Sequence, residues 1–192
     1  LDAHGDAGHF SLDEKFSSKE LIYPLLLESS NDSAEAYSEH FGYEKFMENM
    51  NGFAGEIGMD NTHFRDASGL NPLNISNADD LFALAKYLYK NEKEILEISR
   101  TKEITLPKDE YHENHTFINI NPYSDYENFI GGKTGRTLQA KESMISLFNQ
   151  EVVGINYPIA IIILRSDIGE REIDTEKLLE KFINKYFIIN SK

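Results

Sequence analysis

The apolar positions of the chain change period about halfway along, and the change divides it into helices followed by strands. In KELIYPLLLE, Leu21, Ile22, Leu25 and Leu27 supply one apolar face; Ser17 or Ser18 can cap this helix, and Pro24 bends its axis. The helix stops at SSND. Asp32, followed three residues later by Glu35, forms a capping box that starts a second helix through AEAYSEHF to Gly42. Ser29, Ser30 and Asn31 therefore fall on a short connection, where small polar side chains point outward while two helices hold them still. A third helix is predicted from Tyr43 to about Met50. A longer one runs from Ser76 through Lys90, with Leu81, Leu84, Ala85 and Leu88 at helical spacing. The intervening GMDNTHFRDASGLNPLN reads as loop. From Thr101 the period is two: TKEITL, TFINI, FIGGKTGRT, ESMISLF and YPIAIIILR read as strands. The last is apolar almost throughout and is expected inside a sheet with both faces covered. A closing amphipathic helix, IDTEKLLEKFINKYF, covers one face. The pattern predicts one α+β domain with a helical lobe over about 17–100, and a sheet with its closing helix over about 101–192. Neither internal repeats nor low-complexity linkers interrupt it.

Composition narrows the function. The 192 residues, 40% of them hydrophobic, suffice for a sizeable core. A net charge of -14 with no run of Lys or Arg argues against a nucleic-acid partner, which requires a basic face that displaces counterions. Having no cysteine excludes disulfides and thiolate metal sites and leaves the compartment open. The longest apolar run, Ile159 to Leu164, falls far short of the roughly 20 residues that span a bilayer, so this segment reads as soluble. The chain starts at Leu1 with neither a basic n-region nor an apolar h-region. It reads as the remainder of something longer, any export signal having been removed or left out.

The candidate chemistry begins with FIGGKTGRT, which sets Lys133, Thr134 and Arg136 among three glycines where backbone can approach a bound anion. A phosphate loop needs a glycine where Glu127 stands, and a carboxylate there repels phosphates. The following RTLQAKESMISLF is strand-like as much as helical, so the nucleotide reading is weak. For the tripeptide alone, a tight glycine turn between strands is the simpler reading.

The combination says more: Ser-x-Asn at Ser29 and Asn31 on a helix junction, then Lys133-Thr134-Gly135 on a strand. With Ser-x-x-Lys these motifs form the signature of penicillin-binding proteins and class A β-lactamases. From about Gly8 to Phe187 the sequence resembles the serine D-alanyl-D-alanine carboxypeptidases, the low-molecular-weight penicillin-binding proteins. LDEKFSSKELIYPLLLESSNDSAEA, GMDNTHFRDASGL, ISNADDLFALAKYL and GEREIDTEKLLEKF carry the likeness in order. The resemblance implies a β-lactamase/transpeptidase-like fold: an antiparallel sheet flanked by helices, plus a helical lobe. It also implies a serine that attacks the carbonyl between two D-alanines of a peptidoglycan stem peptide, releases the last one and is freed by water; β-lactams acylate the same serine. Ser29 would then relay a proton to the leaving amine, and Asn31 would hold the substrate amide. Lys133 would supply positive potential and lower the pKa of that relay, while Thr134 would bind the terminal carboxylate. Gly135 would leave room for substrate along the strand, and the Arg136 N–H would form half of the oxyanion hole. Arg171 resembles a family arginine that helps read the carboxylate; by position alone, a surface arginine beside Glu170 and Glu172 is an equal reading. Such an enzyme works outside the cytoplasm, in the periplasm or at the cell surface. No metal or organic cofactor is implied.

One part of the signature is missing. The family carries Ser-x-x-Lys well upstream of Ser-x-Asn, and the one instance here, Ser99 to Lys102, follows it and reads as coincidence. The family's first strands, which pair with its final strand, are missing as well, which leaves IAIIIL an unpaired apolar edge. Either a second chain supplies that part or the parent enzyme is longer; the segment alone is expected to be inactive. Two alternatives stay open. One is a non-catalytic peptidoglycan- or partner-binding relative. The other is a β-lactamase relative, although LNPLN (Leu70 to Asn74) lacks the required glutamate. Asp2, His4, Asp6 and His9 crowd the N-terminus, and His112 and His115 stand three apart; both groups read as solvated loop residues rather than zinc ligands, and His40 and His63 as packing or surface groups.

Overall fold

The computed structural model describes residues 10, 11 and 13–190, with 187–190 described by backbone alone. The Asp2, His4, Asp6 and His9 group lies outside the described residues. Helix α1 (Ser18–Leu27) opens on a capping box: Ser17 Oγ accepts from Glu20 N, and Ser17 N donates to Glu20 Oε2 at 2.7 Å. Pro24 lies inside it, and the Pro24 carbonyl accepts from both Glu28 N and Ser30 N, closing the helix. Helix α2 (Asn31–Phe41) starts two residues earlier than the Asp32 capping box predicts. Its cap is Ser30, whose buried Oγ accepts from Ser33 N at 3.2 Å. Ser29 takes a left-handed φ of 62° and reverses the chain in a single residue, so Asn31 is already helical rather than part of the connection.

Helix α3 (Tyr43–Glu56) continues past the predicted end at Met50. Asn51 explains the extension: its side chain donates to the Met47 and Phe64 carbonyls and accepts from Phe64 N. These bonds tie the helix to the next loop and offset the propensity cost of Gly52 and Gly55. Helix α4 (Ala78–Asn91) is capped by Asn77, and after a break at Glu92 a separate short helix, α5 (Lys93–Arg100), follows.

Strands β1 (Glu103–Leu106) and β2 (His115–Ile118) pair as an antiparallel ribbon of their own that packs on α1. Strands β3 (Phe129–Thr137), β4 (Lys141–Val152) and β5 (Ile155–Ser166) form an antiparallel meander in the order β3-β4-β5. Helix α6 (Arg171–Asn190) covers one face, where Tyr123, Phe129, Met144, Phe148, Ile161 and Ile163 form the main core. Helices α4 and α5 cover the other through Ala85, Leu96 and Leu147. The interior position expected for YPIAIIILR is not found: among the described residues β5 is an outer strand paired only with β4, and Leu164 is 41% exposed. Of the two readings of this run, the unpaired apolar edge is the one that describes it.

Candidate active site

The α1–α2 junction is held from three sides. Ser30 N donates to the Pro24 carbonyl, Ile120 N to the Leu27 carbonyl at 3.0 Å, and Ile118 N to Glu28 Oε1 at 3.0 Å. The last two bonds come from the end of β2 and the residues after it, which explains how a serine persists in the sparsely populated left-handed region. Ser30 turns inward to its cap, while Ser29 and Asn31 line a cleft.

The opposite wall is β3, and two glycines set its position. A Cβ at Gly131 would lie 2.6 Å from Ser99 Oγ and 2.7 Å from the Leu96 carbonyl oxygen, and one at Gly132 would collide with the Ile145 carbonyl oxygen. Without a side chain at Gly131, α5 sits directly on the strand, and without one at Gly132, β3 closes on β4. Ser99 completes the contact: its buried Oγ donates to the Leu96 carbonyl at 2.9 Å and accepts from Gly132 N at 3.1 Å. Lys102 pairs instead with Asp125 at the surface. The literal Ser-x-x-Lys is thus a helix-to-strand fastening outside the cleft.

Beyond the glycines, Lys133, Thr134, Gly135 and Arg136 line the cleft, which measures ≈ 410 Å³. Lys133 is half-buried, and its Nζ donates to the Thr134 carbonyl at 2.8 Å. Burial pushes its ammonium down to about 8, and the like charge of Arg171 acts in the same direction. Thr134 is buried, whereas Gly135 and Arg136 are exposed along the strand. Arg171, the first residue of α6, also lines the cleft, and its Nε donates to Glu172 Oε1 at 2.9 Å.

Ser29, Asn31, Lys133, Thr134, Gly135, Arg136 and Arg171, drawn from three parts of the chain, all border this one cleft. Sequence reasoning missed several neighbours. Glu28 and Asn31 each bring a buried atom, Oε2 and Nδ2, without a hydrogen-bond partner among the described residues: an acceptor and a donor left over at the same wall. Ser68 and Gly69 arrive from the loop after α3. Glu142 is buried opposite Arg136 and accepts from Gly169 N at 2.9 Å, which ties β4 to the turn that presents Arg171. A carboxylate at a strand start reads as solvated; only the register to Arg136 would have flagged it.

The cleft's chemistry is that of an anion receptor with hydroxyl and amide groups at one side. Three cationic side chains face a serine hydroxyl and a carboxamide. A peptide carboxylate suits the cations, and the free Asn31 Nδ2–H suits a carbonyl oxygen. His112 and His115 are elsewhere and are not solvated, contrary to expectation. They belong to an aromatic cluster with Phe10, Phe16 and Phe117, in which the His112 ring stacks on Phe16 with centroids 4.8 Å apart. His40 and His63 are exposed.

Comparison with known proteins places this arrangement. Residues 5–162 match the sequence profile of the D-alanyl-D-alanine carboxypeptidase family. A D-alanyl-D-alanine endopeptidase of Escherichia coli is 30% identical over 157 residues, which cover 80% of this chain and 49% of that protein. The D-alanyl-D-alanine carboxypeptidase DacF of Bacillus subtilis is 29% identical over 177 residues, 90% of this chain and 44% of the relative. The chain thus spans about half the length of the curated relatives it matches. Among solved structures, penicillin-binding protein D2 of Listeria monocytogenes in its cefotaxime-bound form aligns with a TM-score of 0.75 at 29% identity, covering 94% of this chain and 72% of that one. A Streptomyces DD-transpeptidase variant aligns with a TM-score of 0.77 at 25% identity, covering 91% and 71%. The fold is therefore the α+β fold of penicillin-binding proteins and transpeptidases. With the profile match extending over most of its length, the chain belongs to the D-alanyl-D-alanine carboxypeptidase family.

Proposed function

We propose that the protein is a serine-type D-Ala-D-Ala carboxypeptidase of the bacterial cell envelope, which trims the terminal D-alanine of peptidoglycan stem peptides through an acyl-enzyme and is acylated by β-lactams. The observation that carries this reading is the convergence of Ser29, Asn31 and the Lys133 strand on one cleft. In the proposed mechanism the substrate lies along β3, its terminal carboxylate taken by Thr134 and the positive potential of Lys133 and Arg171. Asn31 Nδ2 donates to the carbonyl of the preceding residue, filling the hydrogen bond it lacks. Ser29 passes a proton to the departing amine. Its transfer is eased by Lys133, whose ammonium is already easier to deprotonate than an ordinary lysine. The Arg136 N–H stabilises the oxyanion.

The attacking serine is the residue these 192 positions do not supply, since Ser99 is spent on holding α5 to β3. It comes from a preceding part of the same protein or from a second chain. The expected outcome with a fluorescent penicillin is therefore split. The 192 residues alone give no covalent adduct by intact mass, and the same residues together with a segment or chain that supplies Ser-x-x-Lys give a stoichiometric one. An adduct on the 192 residues overturns the assigned inactivity. An upstream segment without Ser-x-x-Lys, together with reversible binding only, makes the protein a non-catalytic peptidoglycan binder. Rapid nitrocefin turnover by the longer protein makes it a β-lactamase.

A further inference from the structure

His112 lies outside the cleft and takes no part in the chemistry above. Its side chain is 2% exposed. Nδ1 lies 2.7 Å from the Glu113 carbonyl oxygen, which accepts its proton and so assigns the tautomer. In the neutral ring that leaves a lone pair on Nε2, which is buried and without a hydrogen-bond partner among the described residues. Two carboxylate oxygens face it, Glu20 Oε1 at 3.6 Å and Asp109 Oδ1 at 3.9 Å. In the neutral ring an Nε2 lone pair points at two carboxylates, a concentration of electron density that only a bound cation or a proton on Nε2 offsets, and the Glu113 carbonyl and the two carboxylates raise the affinity of the ring for that proton.

The spacing identifies what would. The three atoms stand too far apart for hydrogen bonds. Ligands about 2.1 Å from one tetrahedral ion stand roughly 3.4 Å from each other; the carboxylate oxygens lie 3.6 and 3.9 Å from Nε2, and the three candidate ligand atoms fall within 4.8 Å of one another. Both carboxylates are held in place by hydrogen bonds that leave one oxygen of each without a partner among the described residues, although in Asp109 the oxygen nearer the ring is the bonded one. Glu20 keeps Oε2 on Ser17 N in the α1 capping box, leaving Oε1 free to face the ring. Asp109 Oδ1 accepts from Tyr111 N and His112 N, and its Oδ2 has no hydrogen bond among the described residues. A histidine whose second nitrogen is anchored to a backbone carbonyl is the usual form of a metal ligand.

We propose that Glu20, Asp109 and His112 form a site for a transition-metal dication, best matched by Zn²⁺, with water completing the coordination. The imidazole donor and the small ligand count disfavour Mg²⁺ and Ca²⁺, which take all-oxygen shells. The ion would pin the first turn of α1 to the loop between β1 and β2, and so brace the helix whose far end leads into Ser29. The proposal reverses the solvated-loop reading of His112 and is independent of the carboxypeptidase assignment.

Calorimetric titration of the full chain with Zn²⁺, alongside Mg²⁺ and Ca²⁺, tests it. One saturable Zn²⁺ per chain is expected, with a rise in melting temperature by mass action and no saturable uptake of the other two ions. Glu20→Gln and Asp109→Asn preserve the capping and turn hydrogen bonds, so they keep the fold while weakening Zn²⁺ binding. His112→Gln, checked for folding by circular dichroism, should weaken it by at least about tenfold. Replacing His4 and His9 together by alanine should leave the affinity unchanged. Absence of saturable Zn²⁺ binding, its survival in Glu20→Gln and Asp109→Asn, or its loss in the His4/His9 variant overturns the proposal.

Discussion

A lysine half-buried beside an arginine costs free energy for as long as it keeps its proton. Lys133 has an ordinary value of 10.5 and is held at about 8 in the fold, by burial first and by Arg171 second. Below pH 8 both folded and unfolded chains carry the charge, and the folded state bears the full penalty. Between about 8 and 10.5 the unfolded chain binds more protons, so stability rises with pH across that window. Lys133→Met is therefore expected to stabilise the chain at pH 7 by about 1–2 kcal/mol, a figure reduced because the side chain is only partly buried. It should also flatten the rise above pH 8, as read from urea unfolding at several pH values. A stabilising loss of a cleft cation is the trade expected where function rather than stability selects the residue. Residue types at this scale were legible: the tripeptide at Lys133 and the Ser-x-Asn at Ser29 are visible as strings. Their states were not. Neither the left-handed φ of Ser29 nor the burial of Glu142 has a local signal, because each is imposed by bonds from distant segments, Ile118 and Ile120 in one case and Gly169 in the other.

At the level of elements, hydrogen bonds and close approach decide how the site is framed. The close approach of β3 to β4 depends on a missing side chain at Gly132, so Gly132→Ala should cost about 1–3 kcal/mol by overpacking. The collision is with a backbone oxygen that cannot swing away, and the chemical denaturation midpoint would measure the loss. The segment before α1 is fastened differently. Glu14 accepts from Ser11 N, Glu113 N and His115 Nε2, and these bonds hold its carboxyl at about 2, far below the ordinary 4.5. A depressed carboxylate contributes stability above its unfolded value, and that contribution is lost as pH falls from about 4.5 through about 2. Glu14→Gln should therefore lower the unfolding midpoint at pH 7, with the two proteins converging in strong acid. Periodicity foresaw α1, α2, α4, all five strands and α6. It missed the far end of α3 and the separate α5 because Gly52, Gly55 and a short polar-rich stretch have weak intrinsic preference; tertiary bonds from Asn51 and packing of Leu96 supply what propensity does not.

For the whole molecule, the consequential feature is β5. One side pairs with β4, and the other, unpaired among the described residues, offers backbone groups along an apolar strand. Self-association that grows with concentration is expected of these 192 residues, and Leu164→Lys, at an exposed position on that strand, should reduce it without changing the circular dichroism spectrum. Light scattering coupled to gel filtration checks this; a monomer at all concentrations would mean that the edge is protected. The same strand marks the boundary between what a linear reading reaches and what it does not. The order of helices and strands, the acidic charge that argues against nucleic acid, and the identity of the cleft's polar groups are properties of the string, because period, charge and motif are carried by near neighbours. Which groups share a cleft, which Ser-x-x-Lys is only a fastening, which histidine is buried and which strand is left at an edge were decided by tertiary structure. Each of these depends on segments far apart in the chain that meet only when the helices close over the sheet.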